Sequence, residues 1–101
     1  MTVHRCLCVL ALFSTTAAFA AGVSLERGKN IFESSSLGTN GRSCSSCHQH
    51  AKGLESVSNY DDGKLAGIVN TCIKKALAGT PMQTDSDDMK SLLLYLRSIA
   101  K

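Results

Sequence analysis

Hydrophobic residues recur at helical spacing in three segments of this chain, and polar segments separate them. The pattern predicts three α-helices, because apolar positions three and four residues apart share one face of a helix. The first helix is predicted to begin after Ser24, a residue type that often caps a helix N-terminus, and to run to about Ser34. The positions that recur at helical spacing within it are Leu25, Gly28, Ile31 and Phe32.

The second helix is predicted from about Lys64 to Ala78, with Gly79 as the C′ residue that ends it. Its apolar face consists of Leu65, Ile68, Val69, Cys72, Ile73, Ala76 and Leu77.

The third helix is predicted to begin near Asp85 or Ser86 and to continue to the C-terminus. Asp87 and Asp88 lie in its first turn, where negative charge interacts favourably with the helix dipole. Its apolar face consists of Met89, Leu92, Leu93, Leu96 and Ile99.

The segments between the helices are predicted to be loops. Residues 37–42 contain two glycines and an asparagine, and residues 51–63 are rich in Gly, Ser, Asn and Asp. The chain shows no convincing strand, no repeat and no second domain. We therefore expect an all-α fold.

Residues 1–20 have the pattern of a cleaved signal peptide. A basic start at Arg5 precedes an uncharged apolar run over residues 6–13, and Ala18-Phe19-Ala20 matches a small-x-small cleavage site. The apolar run is short for a membrane span, so cleavage is favoured over a retained anchor. The mature domain is then expected to comprise residues 21–101, to be exported, for instance to the periplasm, and to have no membrane span.

The charge balance does not indicate a nucleic-acid-binding protein. The chain has 11 Lys and Arg against 8 Asp and Glu, a net charge of +3, and its aromatic residues are two Tyr and three Phe. The charges are scattered, and no basic run exceeds Lys74-Lys75. We therefore expect no nucleic-acid partner.

Cys44-Ser45-Ser46-Cys47-His48 is the most informative stretch of the chain, because C-x-x-C-H is the attachment signature of a c-type haem. Two thiols at this spacing can add to the two vinyl groups of one haem edge, and the next residue can donate an imidazole nitrogen to the iron. A thioredoxin-like dithiol would need a βαβ pattern around it, and a zinc site would need a second pair of ligands. We therefore expect one covalent haem c, with thioether bonds from Cys44 and Cys47 and His48 as the proximal ligand.

One further cysteine, Cys72, stays in the mature chain once Cys6 and Cys8 have left with the signal peptide. A leftover cysteine in an exported protein is expected to be buried, cross-linked to a partner, or used in chemistry. Because Cys72 lies on the apolar face of the second helix, a thiolate there would reach the iron in a dry pocket.

The order of these parts resembles a class I cytochrome c. In that family a glycine on the N-terminal helix, with an aromatic residue one turn later, packs against an aromatic residue on the C-terminal helix. Gly28, Phe32 and Tyr95 match those positions. The resemblance implies a small cytochrome c fold, with three main helices around one haem.

Residues 68–98 are similar to the haem domains of thiosulfate dehydrogenases and related sulfur-oxidation cytochromes. The similarity lies in Cys72, a basic helix after it, a Gly-Thr-Pro turn at 79–81, and Asp85-Ser86 followed by Met89. In that group the helix cysteine is the distal iron ligand, which implies this role for Cys72. Small exported His/Cys-ligated monohaem cytochromes of anaerobic ammonium-oxidising bacteria resemble the chain better in size.

Four residues compete for the second axial position of the iron. Cys72 is favoured, and Met82 is the main alternative, since it lies in a turn after a helix, where electron-carrier cytochromes c place their methionine. Packing in the last helix explains Met89. His50 is two residues from His48 on the proximal side and cannot reach round the ring.

The sequence therefore predicts an exported monohaem cytochrome in low-potential electron transfer, with a redox partner protein, and it favours a carrier over an enzyme. A homo- or heterodimer with a second small cytochrome is compatible with this interpretation. The first alternative is a haem-based binder or sensor of NO or CO, because Cys72 could leave the reduced iron. A His/Met electron carrier that uses Met82, and a subunit of a thiosulfate-oxidising enzyme, are the further alternatives.

Overall fold

The computed structural model describes residues 22–100 and contains, within that range, helices but no strand. The α-helices are α1 (Leu25–Glu33), α2 (Cys44–Cys47), α3 (Asp62–Ala76) and α4 (Asp87–Ile99), and single 3₁₀ turns span Gln49–Ala51 and Val57–Asn59. The all-α class is therefore confirmed for this part of the chain. The expected signal peptide, residues 1–20, lies outside the described residues.

A polar side chain caps the N-terminus of every α-helix in this range, as expected for backbone N–H groups that have no partner within the helix. Ser24 accepts from the N–H of Arg27 at the start of α1, and Ser86 accepts from the N–H of Met89 at the start of α4. Both caps agree with the sequence prediction. The four-residue helix α2, which was not predicted, is capped by Ser43.

The contact between α1 and α4 is the most extensive between any two elements. Gly28 is buried there, and a Cβ atom at this position would lie 2.0 Å from the carbonyl oxygen of Ser91. Only glycine permits two backbones to come this close. One turn later the rings of Phe32 and Tyr95 pack at an angle of 59°, with centroids 5.3 Å apart. The contact predicted for Gly28, Phe32 and Tyr95 is therefore present.

Polar groups fasten the same two helices at the edge of this contact. The buried hydroxyl of Ser91 accepts a hydrogen bond of 3.1 Å from the backbone N–H of Ser24. The guanidinium of Arg27 donates to the carboxylate of Asp88 over 2.7 Å. The ion pair is partly exposed and contributes on the order of 1 kcal/mol or less, so the close backbone packing is the stronger constraint.

The core lies between α3, α4 and the side chain of Phe32. On α4, the predicted apolar face is confirmed: Met89, Leu92, Leu93 and Leu96 are buried, and Ile99 is half-buried. Met89 is fully enclosed, in agreement with the packing role predicted for it. Two residues of the predicted loop 51–63, Leu54 and Val57, also contribute to the core.

The end of α3 differs from the prediction. The helix stops at Ala76, two residues early, and the residue with positive φ is Ala78 (53°), not Gly79. Glycine is needed at position 79 for another reason, because a Cβ atom there would lie 2.6 Å from the carbonyl oxygen of Leu37. The loop over residues 37–40 therefore lies so close to residue 79 that the position requires a glycine.

The longest helix, α3, has 15 residues and carries both lysines of the Lys74-Lys75 pair. Within residues 22–100 the structure contains no helix with the length and apolar character needed to cross a bilayer.

Two helical glycines provide a matched test of the α1–α4 contact. We expect Gly28→Ala to destabilise the protein by about 3 kcal/mol, because the new methyl group overlaps the Ser91 carbonyl. Gly67→Ala in α3 meets no atom within 4 Å and should stabilise the protein by about 0.5–1 kcal/mol. Denaturant unfolding measures both changes, and equal effects of the two substitutions would contradict the close contact.

Candidate functional site

Four of the predicted site residues line one cleft. Cys44 and Cys47 come from α2, His48 is the C-cap residue of that helix, and Cys72 comes from α3. The cavity volume of the cleft is about 180 Å³. Most of its other lining residues are apolar, among them Leu54, Val57, Leu65, Ile68, Val69 and Leu96.

The position of Cys72 follows from the helical repeat of α3. Leu65, Val69 and Ile73, each four residues apart, are buried in the core. The neighbouring row, Ile68, Cys72 and Ala76, lines the cleft, and both Cys72 and Ala76 are exposed. Cys72 is therefore exposed in the protein alone. The expectation of a dry pocket concerns a thiolate bound to the iron, and it stays a prediction.

Hydrogen bonds between a loop and the end of α3 hold the two walls of the cleft together. The side chain of Asn40 donates to the carbonyl of Ala76 (2.9 Å), and Thr39 donates from its backbone to Leu77 (3.0 Å) and from its hydroxyl to Ala78 (2.7 Å). These carbonyls have no partner within the helix. The segment that leads into Cys44 is thereby fixed to the helix that carries Cys72.

The ring of His48 is oriented by a backbone carbonyl. Its Nδ1 lies 2.8 Å from the carbonyl oxygen of Lys52. Because a carbonyl only accepts hydrogen bonds, Nδ1 carries the proton and the lone pair is on Nε2. A histidine that binds a metal through one nitrogen usually donates a hydrogen bond from the other. His48 is therefore prepared to act as a ligand through Nε2.

A short segment with unusual backbone conformations brings the Lys52 carbonyl to His48. His50 and Ala51 have positive φ (54° and 62°), as has Gly53 (84°). A Cβ atom at Gly53 would lie 3.3 Å from Nδ1 of His48, so glycine also makes room for the ring. The side chain of His50 is exposed and is not among the residues that line the cleft, in agreement with the expectation that it is no ligand.

The electrostatics of the cleft favour the neutral form of the Cys44 thiol in the protein alone. Burial raises the pKa of the Cys44 thiol, a hydrogen bond from its own backbone partly opposes this, and negative charge on Cys72 or Cys47 raises it further. On the rim, hydrogen bonds from the backbone N–H groups of Glu55 and Gly53 lower the pKa of Glu55.

Met82 and Met89 lie elsewhere. Met89 is buried in α4, and neither methionine is among the residues that line the cleft. The backbone of Met82 is bound to Asn70 of α3 through two hydrogen bonds, of 2.8 and 2.9 Å. The structure thus brings Cys72, but not Met82, to the same cleft as the C-x-x-C-H motif.

Sequence reasoning missed the Lys52 carbonyl, Gly53 and Asn70. A backbone acceptor has no side-chain signature, and an asparagine in a helix interior has no pattern that names its partner. Gly53, five residues after His48, was the one visible signal, because glycine often marks a positive φ.

Within residues 22–100 there is no cluster of three or more His, Cys, Asp or Glu side chains that could hold a metal ion.

Comparison of the chain with protein-family models, with curated proteins and with solved structures gave no match. The resemblance to cytochromes c therefore depends on the residues of this chain alone.

Gly53→Ala tests the orientation of His48, with Gly41→Ala as its matched control. Both glycines have positive φ (84° and 76°), so each substitution should cost about 1 kcal/mol in folding free energy. Only the methyl group at position 53 meets the His48 ring, since Gly41 has no neighbour within 4 Å.

We expect ¹⁵N NMR of the neutral His48 ring to show the Nδ1-protonated tautomer in the native protein and in Gly41→Ala. In Gly53→Ala a mixture of tautomers is expected, because the ring is displaced from the Lys52 carbonyl. An unchanged ring spectrum in Gly53→Ala would contradict the proposed role of this glycine.

Proposed function

We propose that this chain is an exported monohaem c-type cytochrome that transfers electrons. In this proposal Cys44 and Cys47 form the thioether bonds, His48 is the proximal iron ligand and Cys72 is the distal one. The observation that carries the proposal is that these four side chains line one largely apolar cleft, with Nδ1 of His48 engaged by a carbonyl.

The cleft fits a haem in its chemistry. The two thiols lie one helical turn apart on α2, and Nε2 of His48, directly after them, has a free lone pair. The apolar lining matches the faces of a porphyrin, whose burial would add to a core that is small for a domain of this size. When bound, a haem supplies an iron that gains and loses one electron. The open part of the cleft would leave one haem edge accessible to a redox partner.

Cys72 is preferred over Met82 as the distal ligand because it lines the cleft and Met82 does not. The choice decides the reduction potential. An anionic thiolate stabilises ferric iron and lowers the potential, whereas a neutral thioether favours ferrous iron and raises it. The proposed assignment therefore makes the protein a low-potential carrier.

Low-temperature EPR of the oxidised mature protein tests the ligand assignment. We expect a low-spin signal with the narrow spread of g values that a thiolate ligand gives. Cys72→Ala should abolish this signal, and Met82→Leu, the matched control at the competing sulfur, should keep it. A wide-spread signal typical of His/Met ligation in the native protein would transfer the role to Met82 and make the protein a higher-potential carrier.

A second candidate function is the binding of CO or NO. The observation that favours it is the composition of the cleft, since none of the described residues that line it is a lysine or arginine. With a haem bound, no side chain of the lining would then stabilise the Cys72 thiolate once the iron has gained an electron.

We expect the reduced protein to take up CO, with a change in its absorption spectrum, while the oxidised protein does not. In Cys72→Ala the reduced iron should bind CO at least about ten times faster, because no sulfur has to leave first. Equal rates in the native protein and in Cys72→Ala would show that Cys72 does not occupy the distal position of the iron. If the reduced native protein takes up no CO, gas binding is excluded and electron transfer remains as the proposed function.

A further inference from the structure

Asn70 binds both polar groups of the Met82 backbone. Its side-chain NH₂ donates to the carbonyl oxygen of Met82 (2.8 Å), and its side-chain oxygen accepts from the N–H of Met82 (2.9 Å). One orientation of the amide satisfies both bonds, so the pair forms a ring that fixes residue 82 relative to α3. Asn70 is half-buried, which limits competition from water.

The two hydrogen bonds between the Asn70 side chain and the Met82 backbone form a clamp on Met82. This clamp lies on the side of α3 that turns away from the cleft. Residues of an α-helix are about 100° apart, so Asn70 and Cys72 point about 200° apart around the helix axis. Cys72 lines the cleft, whereas Asn70 does not. Asn70 therefore holds Met82 behind the helix that presents Cys72.

The rest of the turn gives Met82 little freedom. Before it, the N–H of Gly79 donates to the carbonyl of Ile73 over 2.8 Å. After it, the carbonyl of Gln83 accepts from the hydroxyl of Ser86, the N-cap of α4, over 2.8 Å. The Met82 side chain is half-buried and packs against the core. With both ends of the turn fixed, Met82 itself is held by the bonds of its backbone to Asn70 and by the packing of its side chain.

We propose that Asn70 is a specificity-determining residue for the iron: by clamping the Met82 backbone behind α3, it excludes the methionine sulfur from the sixth coordination position and leaves that position to Cys72. Asn70 does not line the cleft and would act only through Met82. The inference rests on the proposed function, because it concerns the ligand of a haem held by Cys44, Cys47 and His48.

The clamp itself is tested first, by a measurement that does not depend on the ligand. In Asn70→Leu both hydrogen bonds are lost at similar side-chain volume, and the Met82 amide should exchange with deuterium roughly tenfold faster. Asn70→Asp still accepts from the Met82 N–H but cannot donate to its carbonyl, so an intermediate rate is expected. Thr71→Val, which removes a neighbouring hydrogen bond to Gly67, is the matched control and should leave Met82 unchanged.

The ligand is tested in the holoprotein by EPR. Cys72→Ala with Asn70 intact should show no thioether signal. The double variant Cys72→Ala/Asn70→Leu should show the wide-spread His/Met signal. The triple variant, which also carries Met82→Leu, should lose it. Asn70→Ala in the Cys72→Ala background, which also removes both hydrogen bonds, provides the same comparison if the leucine variant folds poorly.

Two results would overturn the proposal. One is a thioether signal in Cys72→Ala alone, because Met82 would then reach the iron despite the clamp. The other is the absence of such a signal in the double variant, because release of Met82 would then change nothing. A missing thiolate signal in the native protein refutes the assignment of Cys72, whereas the exchange rates at Met82 still decide whether the clamp exists.

Discussion

The hydrogen bonds between the loop at residues 37–40 and the carbonyl end of α3 are the constraint on which the candidate site depends. The C-x-x-C-H motif lies on a helix of only four residues, which cannot set its own position in the fold. By satisfying the carbonyls of Ala76, Leu77 and Ala78, Thr39 and Asn40 fix the start of that helix against α3. The close approach requires glycine at positions 38 and 79, since a Cβ atom at either would overlap a backbone carbonyl. The distance across the cleft is therefore set by backbone contacts and not by the site residues.

The sequence predicted those features that depend on local chemistry. Ser24 and Ser86 begin helices because a hydroxyl satisfies a free N–H within three residues, and this can be inferred without knowledge of the fold. Gly79 shows the limit of such inference. It was interpreted as the end of a helix, but a loop some forty residues earlier in the chain requires it. The tautomer of His48 was equally beyond prediction, because its partner is a backbone carbonyl brought near by residues with positive φ.

The same reasoning explains why Cys72 was placed on the correct helix, although its exposure in the protein alone was not predicted. Helical spacing shows which residues share a face, and Cys72 does share one with Leu65 and Ile73. Helical spacing does not show which rows of residues on that face are covered by another helix. Leu65, Val69 and Ile73 are buried in the core, although they also border the cleft, whereas Cys72 and Ala76 are exposed and Ile68 is half-buried. An apolar row without a protein partner is what a domain needs if a cofactor is to complete its core.

The charge of a thiolate in this cleft links the ligand to the redox state. A thiolate in an apolar environment is unfavourable unless a positive group offsets it. Among the described residues, neither lysine nor arginine lines the cleft. On the proposed assignment, the iron is then the only positive centre that could stabilise Cys72 as an anion. Reduction of the iron removes one unit of that charge, while the surrounding side chains supply nothing in its place. On that assignment, the composition of the cleft would make the bond to Cys72 weaker in the reduced state, and the proposed electron transfer and gas binding would both follow from one apolar lining.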